Sequence, residues 1–155
     1  MTDDADLTLL TGFGGEEKFA DALLGWLEPR RTDAREFALR HRVLLVRSPS
    51  GISADIAFGA LPYEELAVER ARDQELLPHL SLRLCSPEDL IVFKTFADRP
   101  LDWRDVEMTI VRQGSALDWG YIEAQLAPLV EAKDSPELMT RLLRMRSELA
   151  ARQDG

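Results

Sequence analysis

The sequence predicts a single α+β domain, strand-rich in its first half and helical in its second, and three observations predict it. Short apolar or β-branched segments, separated by glycine, serine and proline turns, crowd the residues before about 85. Helix-starting caps followed by apolar stripes at helical spacing dominate the remainder. No internal repeat or low-complexity tract interrupts that order. At 155 residues the chain fits one domain large enough to bury a core. The expected division within it is a sheet-rich portion over 1–85 and a helical portion over 86–151.

Ala5 to Leu10 reads as a buried strand, closed by the turn Thr11-Gly12-Phe13-Gly14-Gly15. Phe19, Leu23, Trp26 and Leu27 then recur at helical spacing, which predicts a helix from about Glu16 to Leu27, ended by Pro29. Val43-Leu44-Leu45-Val46 and the Ile52 to Phe58 run, joined by Ser48-Pro49-Ser50-Gly51, form a hairpin signature. Along the second run Ile52, Ala54, Ile56 and Phe58 share one face, and Ser53, Asp55 and Ala57 share the other. Asp55 therefore stands on the open face. A helix is expected from Pro62 to about Glu75 and a short strand from Leu80 to Leu84.

Ser86-Pro87-Glu88-Asp89 combines an N-cap serine, a proline at the first helical position and an acid at the third, so a helix begins there. Its apolar residues Leu90, Ile91, Phe93 and Phe96 leave Lys94 and Arg99 available, and Pro100 breaks the pattern. Asp102 and Asp118 read as caps of two more helices. Ser135-Pro136 opens the last, with Leu138, Leu142, Met145 and Leu149 on one stripe. Trp26, Trp103 and Trp119 fall in helical stretches and read as core residues.

Nineteen basic against 28 acidic residues give a formal charge of -9, which disfavours broad adhesion to nucleic acid. A nucleic-acid substrate would need a local basic patch. The candidates are Arg30, Arg31, Arg35, Arg40, Arg42 and Arg47, and then Arg141, Arg144, Arg146 and Arg152, all of which also fit solvated faces. No apolar run approaches the roughly 20 residues of a membrane span. One cysteine, Cys85, cannot form an internal disulfide and no basic, apolar leader opens the chain, so a cytoplasmic location is the expectation. His41 and His79 lack partners at metal-ligand spacing.

The residues that point to chemistry are three aspartates on two short apolar segments. Asp4 and Asp6 lie in Thr2-Asp3-Asp4-Ala5-Asp6-Leu7, and Asp55 lies in Ile52-Ser53-Ala54-Asp55-Ile56. In a strand, residues two apart share a face at roughly 6.6 to 7 Å. Carboxylates so placed repel unless a cation lies between them, and hard divalent ions with oxygen ligands answer that need. A magnesium pair about 3.5 to 4 Å apart is the usual clamp for in-line phosphoryl or nucleotidyl displacement. Asp3, Asp4 and Asp6 also fit a solvated acidic terminus, and Asp55 a solvated strand end.

Thr2-Asp3-Asp4-Ala5-Asp6-Leu7 resembles the T-x-D-h-D-h core of nucleotidyltransferases of the DNA polymerase β superfamily. The strand with Asp55 resembles that family's third carboxylate. Ser86-Pro87-Glu88-Asp89-Leu90 through Lys94, with Asp102-Trp103-Arg104-Asp105, resembles the helical segment of its bacterial, AbiE-toxin-like members. The resemblance implies a small mixed sheet backed by helices with a C-terminal helical segment. It implies Asp4, Asp6 and Asp55 as catalytic ligands of two magnesium ions around a nucleoside triphosphate, with Asp55 completing the second ion site. Thr2, Lys94, Asp102 and Asp105 are then the nucleotide-binding residues, Lys94 approaching the triphosphate and Asp102 or Asp105 orienting it or supporting the site. Asp102 and Asp105 fit equally a helix cap and its N3 acid, and Lys94 a polar-face lysine.

The family pattern also carries a Gly-Ser or Gly-Gly turn ahead of its carboxylate core, whereas here Met1 precedes Thr2 directly and Gly14-Gly15 follows the carboxylate strand. The expectation is either an upstream start or a shortened domain, with a sheet edge that a partner protein or second copy covers. The implied activity is nucleotide transfer to a hydroxyl of RNA, protein or a small molecule. Rival readings are a non-catalytic partner-binding or toxin-antitoxin component on the same scaffold and a metal-dependent nuclease.

Overall fold

The computed structural model describes residues 4–153, the side chains of Asp4 and Gln153 excepted. The chain is α+β and divides into two compact units, the first running to Glu69 and the second beginning at Arg70. No helix among the described residues is long and apolar enough to cross a membrane.

The first unit opens with strand β1 (Asp4–Leu10), helix α1 (Glu16–Leu24), the two-residue strand β2 (Glu28–Pro29) and helix α2 (Ala34–His41). Strands β3 (Val43–Arg47) and β4 (Ser53–Gly59) follow, and then helix α3 (Pro62–Arg70), which ends at the boundary. The four strands form one sheet in the order β1-β4-β3-β2. β3 pairs antiparallel with both β2 and β4, while β1 joins β4 in parallel, so the sheet is mixed. Leu44, Val46, Ile56 and Phe58 from the sheet meet Ala20 of α1 and Ala34 and Ala38 of α2 in the core, with Leu9 and Leu23 packed against them. Small alanines on the helices let them lie close to the branched and aromatic side chains of the sheet. The expected facing of β4 holds for Ile56 and Phe58, which are buried, and for Asp55 on the opposite face, whereas Ile52 precedes the strand and is 58% exposed.

The turn between β1 and α1 depends on glycine. Gly14 has φ +79°, and a Cβ on Gly15 would lie 2.3 Å from the Thr11 carbonyl oxygen, closer than any real contact. Arg42, which caps α2, holds this turn from outside. Its guanidinium pairs with Glu16 and donates at 2.6 Å to the Phe58 carbonyl, while Phe13 covers it at 4.8 Å. α1 stops at Leu24, three residues before the expected end, where the Gly25 N–H donates to the Ala22 carbonyl and those of Trp26 and Leu27 donate to the Leu23 carbonyl. Trp26 is consequently outside the helix and 65% exposed, a correction to its expected place in the core. α2 and β2 have no counterpart in the sequence reading.

The second unit begins with a hairpin of β5 (Arg72–Leu77) and β6 (Leu80–Leu84), turned through Pro78 and His79. The expected helix from Pro62 to Glu75 therefore ends at Arg70, and its last part is strand. Four helices follow: α4 (Pro87–Ala97), α5 (Pro100–Gln113), α6 (Trp119–Ala132) and α7 (Glu137–Gln153). Ser86 caps α4 as its sequence requires, its Oγ accepting from the Asp89 N–H at 3.1 Å, and Asp118 caps α6 in the same way. At α5 the expected cap Asp102 sits instead at the third position. Its carboxylate accepts from the Arg99 backbone N–H, which makes Arg99 the cap residue. Ile91 and Val92, Trp103, Val106 and Ile110, Ile122 and Leu126, and Leu138, Leu142 and Leu149 supply the core of this unit from the four helices.

Candidate functional site

β3 and β4 turn Leu44, Val46, Ile56 and Phe58 to the core, which leaves the alternate residues on the opposite face. There the register sets Leu45, Asp55 and Asp6 in one row across β3, β4 and β1. Parallel partners point to the same face from strands about 4.8 Å apart, so Asp6 and Asp55 stand side by side. Asp4 holds the next alternate position of β1, opposite Ser53, and its side chain lies outside the described residues. Thr2 and Asp3 lie outside them altogether. β1 is an outer strand of the sheet, and Leu7 on it is 51% exposed.

Arg30 reaches this row. It follows β2, its backbone N–H donating to the Leu45 carbonyl at 3.0 Å, and its Nη1 meets Asp55 Oδ1 at 2.6 Å. Both side chains are half-buried, at 26% and 23% exposure, where water screens the pair less than at an open surface. Asp6 and Asp55 are hard oxygen donors in adjacent positions, which suits magnesium. Among the described residues no group of three or more histidine, cysteine, aspartate or glutamate side chains converges as a metal cluster. A hollow of about 360 Å³ in this unit is lined by Gly14, Gly15, Glu17, Lys18 and Asp21 and includes neither Asp6 nor Asp55.

The second unit gathers the remaining expected residues. Lys94, well covered on α4, reaches Asp102 at 3.4 Å and Asp105 at 3.2 Å on α5. Asp102 is 2% exposed and accepts from Arg99 Nε at 2.7 Å and Nη2 at 3.1 Å. Burial by itself would raise the Asp102 carboxyl. The Arg99 hydrogen bond and charge, its backbone N–H and Lys94 reverse that and hold the group below the usual aspartate range. Lys94 thus stands between two carboxylates of the neighbouring helix. Asp6 with Asp55, and Lys94 with Asp102 and Asp105, are thus two assembled groups, one in each unit.

No protein-family model matches the chain, and no curated protein matches it.

Two polar clusters escaped the sequence reading. The Arg30–Asp55 pair is one: Arg30 counted only as a basic-patch candidate, and no local signal joins residues 25 apart. The other surrounds Asp89, which is fully buried. Its oxygens accept from Tyr121 Oη at 2.6 Å, Ser86 Oγ at 2.7 Å and Arg70 Nε at 3.3 Å, while the Arg70 guanidinium lies 4.1 Å over the Tyr121 ring. Burial, and then the hydrogen bond and charge of Asp89, push the Tyr121 hydroxyl far above its ordinary value. The capping serine foretold the Ser86 part of this cluster, and nothing foretold Tyr121 or Arg70.

Most arginines of the two candidate basic groups face acids. Arg30, Arg31, Arg35 and Arg42 pair with Asp55, Asp33, Asp21 and Glu16, and Arg141, Arg144, Arg146 and Arg152 pair with Asp98, Glu148, Glu123 and Glu107. Their charge is largely offset within the fold, which weakens both as nucleic-acid patches.

Proposed function

We propose that the chain is a polymerase-β-like nucleotidyltransferase domain that moves a nucleotide from a nucleoside triphosphate to a hydroxyl of RNA, protein or a small molecule. The observation that carries this reading is the in-register placement of Asp6 beside Asp55 on the open face of a mixed sheet. Two sequence segments separated by 49 residues bring carboxylates to neighbouring positions, where like charges cost stability unless a cation balances them. Asp6 and Asp55, with Asp4 on the same strand, would hold two magnesium ions, which when bound neutralise a triphosphate and steady in-line displacement. The chain's own part in this unit is to position those carboxylates, with Asp55 accepting a proton from the attacking hydroxyl.

A second reading has its own support. Arg30 already balances Asp55, and among the described residues no strand pairs with the outer edge of β1, so the same scaffold could serve as a non-catalytic, partner-binding component. Calorimetric titration of magnesium with each nucleoside triphosphate decides between them. Binding that Asp55→Ala abolishes, with the thermal midpoint retained, supports the transferase. Unchanged binding in that variant ends the assignment, and no binding by either protein favours the partner-binding scaffold. RNA shortening without triphosphate consumption would instead identify a nuclease.

A further inference from the structure

Arg30 sits where a bound cation would be useful, and its attachment shows how it could leave. The backbone is fixed to β3 through the Leu45 carbonyl, so the residue's position does not depend on the ion pair. Only the side chain reaches across to Asp55, approaching from the β3 side while Asp6 flanks Asp55 on the β1 side. Among the described residues Arg30 provides the only hydrogen bond to the Asp55 carboxylate, through Oδ1. A half-buried carboxylate held by one flexible cation, beside a second carboxylate, is an exchangeable arrangement. A divalent ion carries twice the charge in a smaller volume and competes for the same oxygen.

We infer that Arg30 is the counter-charge of Asp55 in the ion-free protein, is displaced when a divalent ion binds there, and in its released form is a phosphate-binding residue of the same site. This rests on the proposal that Asp6 and Asp55 are metal ligands. A guanidinium presents a planar fork that matches two phosphate oxygens, and its backbone anchor at β3 keeps it within one side-chain length of the Asp55 position. The residue would thus act twice with opposite sign, opposing ion binding in the empty site and favouring phosphate binding in the loaded one.

The test uses Arg30→Gln, which keeps a polar, though shorter, side chain and removes the charge. Manganese, a paramagnetic substitute for magnesium, is titrated by electron paramagnetic resonance into the wild type, Arg30→Gln and Asp55→Asn. Inorganic triphosphate is then titrated calorimetrically at saturating manganese. Arg30→Gln is expected to bind manganese about fivefold more tightly, as loss of an ion pair of this exposure allows, and to bind triphosphate about five- to tenfold more weakly. Asp55→Asn is expected to lose the manganese site. A merely structural arginine would lower the thermal midpoint without moving the two affinities in opposite directions. Manganese binding that Asp55→Asn removes but Arg30→Gln leaves equal or weaker overturns the role of Arg30 and spares the metal site. Absence of manganese binding in both the wild type and Arg30→Gln overturns the two together.

Discussion

Asp55 and Asp89 are both half of an arginine pair, yet their surroundings differ in every other respect. Asp55 lies on the open face of a sheet, 23% exposed, beside a second carboxylate and with one cation. Asp89 is at 0% exposure, with two hydroxyls and a guanidinium on its oxygens. A buried charge survives only when its oxygens are satisfied, so the Asp89 partners cannot be exchanged without unfolding something. The Asp55 partner can be exchanged, because water or an ion can take its place. The contrast separates a carboxylate that fixes structure from one suited to chemistry.

The largest expected effect follows from removing the fixed one. Asp89→Ala leaves Tyr121 Oη and Ser86 Oγ without their acceptor and a guanidinium without its charge partner, at a cost of about 3 to 5 kcal/mol. A denaturant titration should show that loss for Asp89→Ala and less than about 0.5 kcal/mol for Asp55→Ala. Equal losses in the two variants would erase the distinction.

Asp102 comes next. It is buried like Asp89, but its pKa is held below the ordinary aspartate value chiefly by Arg99 against the opposing effect of burial. A depressed carboxyl stabilises the fold above the unfolded-state value of about 3.9 and loses that contribution as pH falls through the folded-state value below it. Asp102→Asn should cost about 2 kcal/mol at neutral pH, the worth of its charged hydrogen bonds, and should flatten the pH dependence of the thermal midpoint below about pH 4. A variant as steeply acid-sensitive as the wild type would show that other carboxylates govern acid unfolding.

How much of this was legible in the sequence depends on how far apart the interacting residues are. The facing of β4 and the Ser86 cap follow from spacing within a few residues, and both appear as read. The end of α3 was misplaced because Arg72-Asp73-Gln74-Glu75 has neither helical nor strand periodicity. Its state is fixed by antiparallel pairing with Leu80–Leu84, and every residue of both strands is exposed. For the site, the sequence identified Asp6 and Asp55 as candidates, but only the parallel register of β1 on β4 sets them side by side. Arg30 was counted among surface arginines, since its partner is chosen by the β2–β3 pairing rather than by any neighbour in sequence.

A smaller effect tests the rule from the neutral side. Thr95 on α4 is fully buried and its hydroxyl has no hydrogen-bond partner among the described residues. Unlike Asp89, it bears the cost of burial with nothing to offset it. Thr95→Val keeps the shape and removes the orphaned group, so stability should rise by about 1 kcal/mol, a gain of a few degrees in thermal midpoint. A destabilised variant would mean that the hydroxyl has a bound water that the valine displaces.

The smallest effect bears most directly on exchangeability. A ligand that binds only the folded state stabilises it by RT ln(1 + [L]/Kd), which is about 0.4 kcal/mol when magnesium equals its dissociation constant. The wild-type midpoint should therefore climb by about one to two degrees at that concentration and continue upward with the logarithm of magnesium beyond it. Asp6→Asn and Asp55→Asn should lose the climb, whereas Asp102→Asn, although less stable throughout, should keep it. The slope matters more than the size of the shift, because a general salt effect would move all three variants together. A magnesium response confined to the two sheet aspartates would assign the ion to the open face, and a response that survives both substitutions would place it elsewhere.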